Sequence, residues 1–158
     1  MRKKQEKKRV TEVKTYPVPY ELEEIKENLT VNTNAPFNPS KEQLINQAFK
    51  YHSQGNISEA AKYYQYLIDQ NLEDARVFSN YGSILKSLGN LQEAELYQRK
   101  AMELKPDFAD SHYNLGNALK NLGNLQEAEK SYRKAIELNP HFADAHVNLG
   151  LILKDLGK

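Results

Sequence analysis

The sequence contains no cysteine among its 158 residues. It therefore has no disulfide framework, no thiolate metal ligand and no thiol nucleophile, and it suits a reducing compartment. No apolar run approaches the ~18 residues that a transmembrane helix needs, and the basic N-terminus lacks the apolar stretch of a signal peptide. We therefore expect a cytoplasmic chain without a membrane span.

Glycine is scarce, and its few positions follow a fixed period. All seven glycines recur at a spacing of 34 residues, in two columns of the aligned repeats. One column contains Gly82, Gly116 and Gly150, and the other contains Gly55, Gly89, Gly123 and Gly157. Repeat units run over 41–74, 75–108 and 109–142, with a half unit over 143–158, and units two and three agree at 20 of 34 positions. Such a period is typical of a solenoid, in which each unit packs on its neighbours.

The residue pattern of each unit predicts two helices joined by a tight turn. In unit two, Phe78 and Leu85 recur at helical spacing, and Gly89 follows where a helix end favours a left-handed residue. The second helix is predicted to begin near Gln92 and to end before Pro106, which cannot donate to the helical ladder. The first glycine column is expected to let neighbouring helices approach closely.

Residues 1–39 are predicted to be a basic, mostly disordered tail and linker, with 21–29 compatible with a short helix. Residues 1–14 carry seven Lys or Arg against two Glu, which leaves a net charge of −4 on the rest of the chain. The tail lacks interleaved aromatic residues, so a solubilising role is favoured over binding to nucleic acid. Ser40 and Gln43 form a capping-box pattern, which predicts that the array occupies 40–158.

The repeated positions carry a specific motif. They are Leu44, Ala48, Tyr51, Ala60 and Tyr64 in unit one, Phe78, Tyr81, Gly82, Leu85, Ala94, Ala101 and Pro106 in unit two, and His112, Leu115, Gly116, Leu119, Ala128, Tyr132, Ala135 and Pro140 in unit three. This pattern resembles the tetratricopeptide repeat family, with Gln98, His112 and His146 as departures at aromatic positions. The resemblance implies an all-α, right-handed superhelical solenoid of antiparallel helix pairs. It also implies that the first helices line a concave groove, where family members bind peptides and proteins.

The polar face of the first helices is the candidate binding site. An asparagine recurs in every unit and a lysine in three, and an amide can both donate to and accept from a peptide backbone. The alternative is that the asparagines bond between neighbouring helices and that the lysines form a solvated face. The predicted site residues are Asn46, Asn80, Ser83, Lys86, Tyr113, Asn114, Asn117, Lys120, Asn148 and Lys154.

The chain shows no catalytic motif. Its glycines are accounted for by packing and turns, no serine lies in a nucleophile motif, and His112 and His146 are interpreted as packing residues. We expect no catalytic residue, no cofactor, no metal and no small-molecule substrate. The prediction is a non-enzymatic scaffold that binds an extended protein or peptide segment, and the lysines favour an acidic one.

Two other functions stay open. The four repeated asparagines, Asn46, Asn80, Asn114 and Asn148, form an asparagine ladder. This ladder resembles that of O-linked N-acetylglucosamine transferases, which implies a substrate-docking module of a larger enzyme. Self-assembly is the other, through the apolar residues of the incomplete last repeat, which are Leu149, Ile152, Leu153 and Leu156. The two-carboxylate clamp that other family members use for chaperone tails is rejected, because Ile45, Asp110 and Asn114 stand where cations are needed.

Overall fold

The computed structural model describes residues 39–158, and within that range it is all α-helical. The predicted tail and the short helix over 21–29 lie outside the described residues. Seven helices pack there as adjacent antiparallel pairs, each pair also packing on the next. They are α1 (Lys41–Ser53), α2 (Ile57–Asp69), α3 (Ala75–Ser87), α4 (Leu91–Leu104), α5 (Ala109–Asn121), α6 (Leu125–Leu138) and α7 (Ala143–Asp155).

Local sequence sets the helix ends. The Ser40 Oγ accepts from the Gln43 backbone N–H at 3.2 Å, and the Gln43 Oε1 accepts from the Ser40 N–H at 2.8 Å, which confirms the capping box. Gly89 has a φ of +84° in the turn that joins α3 to α4, and the other three glycines of its column are also left-handed. The end of α2 differs, because Asn71 takes a φ of +53° and Leu72 stands where later units have proline.

The core lies between the two helices of each pair and continues between neighbouring pairs. A Cβ added to Gly82 would lie 2.6 Å from the Gln98 Nε2, and one added to Gly116 would lie 2.6 Å from the Tyr132 Cε1. These distances confirm the predicted close approach at both positions. Gly150 is different, because no atom lies within 4 Å of its added Cβ.

The apolar side of α7 is already partly occupied within the chain. Ile152 is fully buried in a cluster with Leu115 and Leu119, and the partly buried Leu149 and Leu156 pack against that cluster. Ile152 therefore cannot serve the predicted self-association, because its side chain is already packed here. The large apolar residues that α7 does expose are Val147 and Leu151, at 63% and 49%. Among the described residues, no helix has the length and apolar character that a bilayer span requires.

Candidate functional site

The predicted site residues lie along α1, α3, α5 and α7, and we call their polar surface the first-helix face. Asn46 and Lys154 are exposed on this face, and Asn117 is buried. The remaining site residues are half-buried, and they are Asn80, Ser83, Lys86, Tyr113, Asn114, Lys120 and Asn148.

The C-terminal half of the face is a connected hydrogen-bond network. The Asn148 Nδ2 donates to the Tyr113 Oη and to the Asn117 Oδ1, both at 3.2 Å. The Lys120 Nζ donates to the Asn148 Oδ1 at 3.3 Å, and the Tyr132 Oη donates to the Asn117 Oδ1 at 2.9 Å. Asn148 therefore joins α7 to α5, which is the role that the stacking alternative assigned to the ladder.

The ladder is not uniform. Each asparagine after Asn46 faces a register partner, which is the residue 35 positions earlier on the preceding first helix, and the type of that residue changes from unit to unit. The Asn114 Nδ2 donates to the Ser79 Oγ at 3.3 Å, in the same register as the Asn148 bond to Tyr113. The equivalent partner for Asn80 is Ile45, a buried hydrocarbon side chain that cannot accept a hydrogen bond. Within the described part of the chain, the side chain of Asn80 has no hydrogen-bond partner, and the same holds for the exposed Asn46. Contact of any of these amides with a ligand stays a prediction.

A cavity of about 360 Å³ opens beside Asn80 and is lined by Phe49, His52, Ser53, Tyr64 and Asn80. The Tyr64 Oη lies 3.4 Å from the His52 Nδ1, and burial lowers the pKa of His52, so this imidazole is neutral at neutral pH. The lining residues thus carry no charge, and the Arg76 guanidinium lies nearby, 5.5 Å from the centroid of the Phe49 ring. Sequence analysis missed it, because helix packing brings its lining together from α1, α2 and α3.

The two edges of the first-helix face have opposite charge. Acidic residues occupy the first turns of the first helices, at Glu42, Asp110 and Asp144. Arg76 interrupts this column, and its guanidinium is paired with Asp74 at 2.6 Å. The other edge carries the lysines of the last turns, which are Lys86, Lys120 and Lys154.

The two repeated histidines have a structural contact. The His112 Nε2 lies 2.9 Å from the Pro106 carbonyl oxygen, and the His146 Nε2 lies 2.9 Å from that of Pro140. Because a carbonyl oxygen only accepts, each Nε2 carries the hydrogen and donates. Each histidine thus ties its helix to the preceding turn. His112 is buried, whereas His146 is exposed. The predicted role as a packing residue therefore fits His112 but not His146.

Helix pairs of fixed length that pack on their neighbours define a helical-repeat solenoid. Residues 109–142 and 131–158 match models described as tetratricopeptide repeat, and residues 82–123 match a model described as TPR repeat. These matches identify residues 82–158 as tetratricopeptide repeats.

Solved structures agree with this family. The first TPR of Spaghetti (RPAP3), bound to the HSP90 peptide SRMEEVD, is 26% identical over 75% of this chain and 94% of its own, with a TM-score of 0.70. The first TPR domain of human RPAP3 is 26% identical over 74% and 92%, with a TM-score of 0.69. A Thermobaculum terrenum O-GlcNAc transferase mutant is 26% identical over 72% of this chain but 22% of its own, with a TM-score of 0.68. No curated protein shows a significant sequence match to the chain.

Proposed function

We propose that this protein is a non-catalytic interaction scaffold that binds an extended protein segment along the first-helix face. The observation that carries the proposal is the amide of Asn80, which is half-exposed and without a hydrogen-bond partner in the described chain, at the rim of the aromatic cavity. An amide can pair with a peptide backbone whatever the side chains of the partner are. The neighbouring Asn46 offers a second unpaired amide in the previous unit.

The other asparagines of the ladder help to form the first-helix face. Asn117 and Asn148 hold α5 to α7, and a rigid surface loses less entropy when it binds. The Asn114 amide group is only partly engaged, because its bond to Ser79 uses the nitrogen and leaves the oxygen. The first TPR of Spaghetti (RPAP3) binds a peptide on the same fold, which is consistent with this use of the face.

Peptide selection against the whole chain tests the proposal. A displayed library of random peptides is enriched on the wild-type protein, and the affinity of a selected peptide is then measured for wild type and for Asn80→Ala. Loss of one or two hydrogen bonds predicts that Asn80→Ala binds about 3- to 20-fold more weakly.

Asn90→Ala is the matched control, because Asn90 is an exposed turn residue whose side chain makes no capping hydrogen bond. This variant should bind as wild type does. Equal affinity of both variants, or failure to enrich any peptide, would contradict the proposed function.

A substrate-docking module of a larger glycosyltransferase is the second candidate. The resemblance to the Thermobaculum terrenum O-GlcNAc transferase favours it, since 72% of this chain aligns with only 22% of that protein. The coding sequence downstream of Lys158 tests it. A continuing reading frame for a glycosyltransferase domain would support this candidate, and a stop codon would remove it.

A further inference from the structure

We propose that the lysine edge binds a polyproline-II segment that carries a carboxylate at every third residue, with an apolar side chain seated in the aromatic cavity. The lysine edge comprises Lys86, Lys120 and Lys154. This inference rests on the proposed function and deepens it by naming the chemistry of the partner.

The ammonium groups of the lysine edge are not neutralised within the described chain. Lys86 and Lys154 make no ion pair there, and Lys120 bonds only to the neutral amide oxygen of Asn148. The arginines of residues 39–158 behave differently, because each has a carboxylate partner within 4 Å. They are Arg76, Arg99 and Arg133. The lysine edge therefore keeps its positive charge available for a partner.

The acidic edge fixes which side of the face a carboxylate can occupy. Asp110 and Lys120 are ten residues apart on α5, which places the two edges ~15 Å apart along the helix. That separation exceeds the Debye length of ~8–10 Å at physiological salt, so the aspartates do not neutralise the lysines. Acidic side chains are attracted to one edge and repelled from the other.

The spacing expected for packed first helices matches a polyproline-II chain. The helices α3 and α5 contact each other directly, and Asn148 bonds α7 to α5. Packed helix axes lie ~8–10 Å apart. A polyproline-II chain has three residues per turn and rises ~3.1 Å per residue, so its side chains return to one side every ~9 Å. A β-strand returns to the same face every ~6.8 Å, which does not fit.

The cavity continues the lysine edge in unit one. His52 occupies the position that lysine holds in the later units, and burial lowers its pKa, so this place is uncharged. Phe49 and Tyr64 line the same cavity of about 360 Å³. The Arg76 guanidinium lies 5.5 Å from the centroid of the Phe49 ring, but it is already paired with Asp74 and Glu42. An apolar side chain therefore fits this place better than a carboxylate, because it gains from burial against the aromatic rings. The recognised segment is therefore apolar at one end and acidic at every third residue beyond it.

Synthetic peptides of defined spacing test this inference. One peptide begins with Phe and has Glu at every third position with Pro between, a second has the same composition with its three Glu contiguous, and a third has Gln for Glu. Fluorescence anisotropy gives their affinities for the whole chain, for the triple variant Lys86→Gln, Lys120→Gln, Lys154→Gln, and for the control Lys41→Gln, Lys50→Gln, Lys130→Gln. The control lysines are exposed, and none has an ion pair in the described chain.

We expect the spaced peptide to bind wild type about tenfold more tightly than the contiguous isomer or the Gln peptide, since each exposed ion pair contributes about two- to fivefold. The triple variant should lose about the same factor for the spaced peptide, and so should wild type in about 0.5 M salt. The control variant should stay within about twofold of wild type.

Equal binding of the spaced and contiguous peptides, or wild-type affinity of the triple variant for the spaced peptide, would overturn the inference. The proposed function would survive that result if library-selected peptides still lose affinity with Asn80→Ala, and would fall with it if they do not. The lysines also lie in the last turns of α3, α5 and α7, where they complement the helix dipoles. A lower melting temperature of the triple variant with no change in affinity would assign them that structural role instead and overturn the inference.

Discussion

Replacement of Gly116 by alanine tests the helix packing that builds the array. The added Cβ would lie 2.6 Å from Cε1 and 2.7 Å from Cδ1 of Tyr132. That ring is fully buried, and its hydroxyl donates to Asn117 at 2.9 Å, so it cannot move without loss of the hydrogen bond. We expect about 1–3 kcal/mol of strain and about 1 kcal/mol for the bond, offset by about 1 kcal/mol of helix propensity. Gly116→Ala should therefore destabilise the fold by about 1–3 kcal/mol.

Gly150 provides the matched control in the same repeat column. No atom lies within 4 Å of its added Cβ, so Gly150→Ala should gain about 1 kcal/mol from helix propensity alone. Urea unfolding gives the free energy of both variants, and thermal melting should separate them by about 6 °C or more. The packing argument would be wrong if Gly116→Ala were as stable as Gly150→Ala.

Three further predictions concern stability. Asn148→Ala should lower the free energy of unfolding by about 1–2 kcal/mol, because it removes the bonds between α5 and α7, whereas Asn80→Ala should change it by less than about 0.5 kcal/mol; equal urea midpoints would contradict this. His112→Ala should cost about 1–3 kcal/mol, because it leaves a carbonyl without its donor and a gap in the packing, and an unchanged thermal melt would refute it. Burial raises the pKa of Tyr63 and of Tyr81 to about 12, and the unfolded phenols lose their protons near pH 10, so the free energy of unfolding should fall from about pH 10 to 12; a flat pH series would exclude this.

The helix pairs could be predicted from sequence because their signals are local. Gly89 marks the turn between α3 and α4 and takes the expected left-handed conformation. The start of α4 at Leu91 lies one residue before the predicted Gln92, which is within the normal uncertainty of a helix boundary. Pro106 follows the end of α4 as expected. These features depend on backbone geometry within a few residues, which sequence analysis can reach.

The division of labour within the asparagine ladder could not be predicted, because it depends on contacts between units. Asn80 and Asn148 occupy equivalent positions in the sequence, but their register partners are Ile45 and Tyr113. One partner is a hydrocarbon and the other a hydroxyl, so one amide is left unpaired and the other is bonded. The sequence shows both residue types but not which helix face meets them. The cavity beside Asn80 was missed for the same reason.

The most direct test of the central claim is the NMR spectrum of the asparagine side-chain amides during titration with a library-selected peptide. We predict that the Asn80 and Asn46 amide signals shift to saturation with the peptide, while those of Asn90 and Asn124, which lie in the turns outside the first-helix face, stay in place. The same spectrum records the glutamine side-chain amides. Saturable shifts confined to those of the second helices, at Gln65, Gln92 and Gln126, with Asn80 unmoved, would contradict the account.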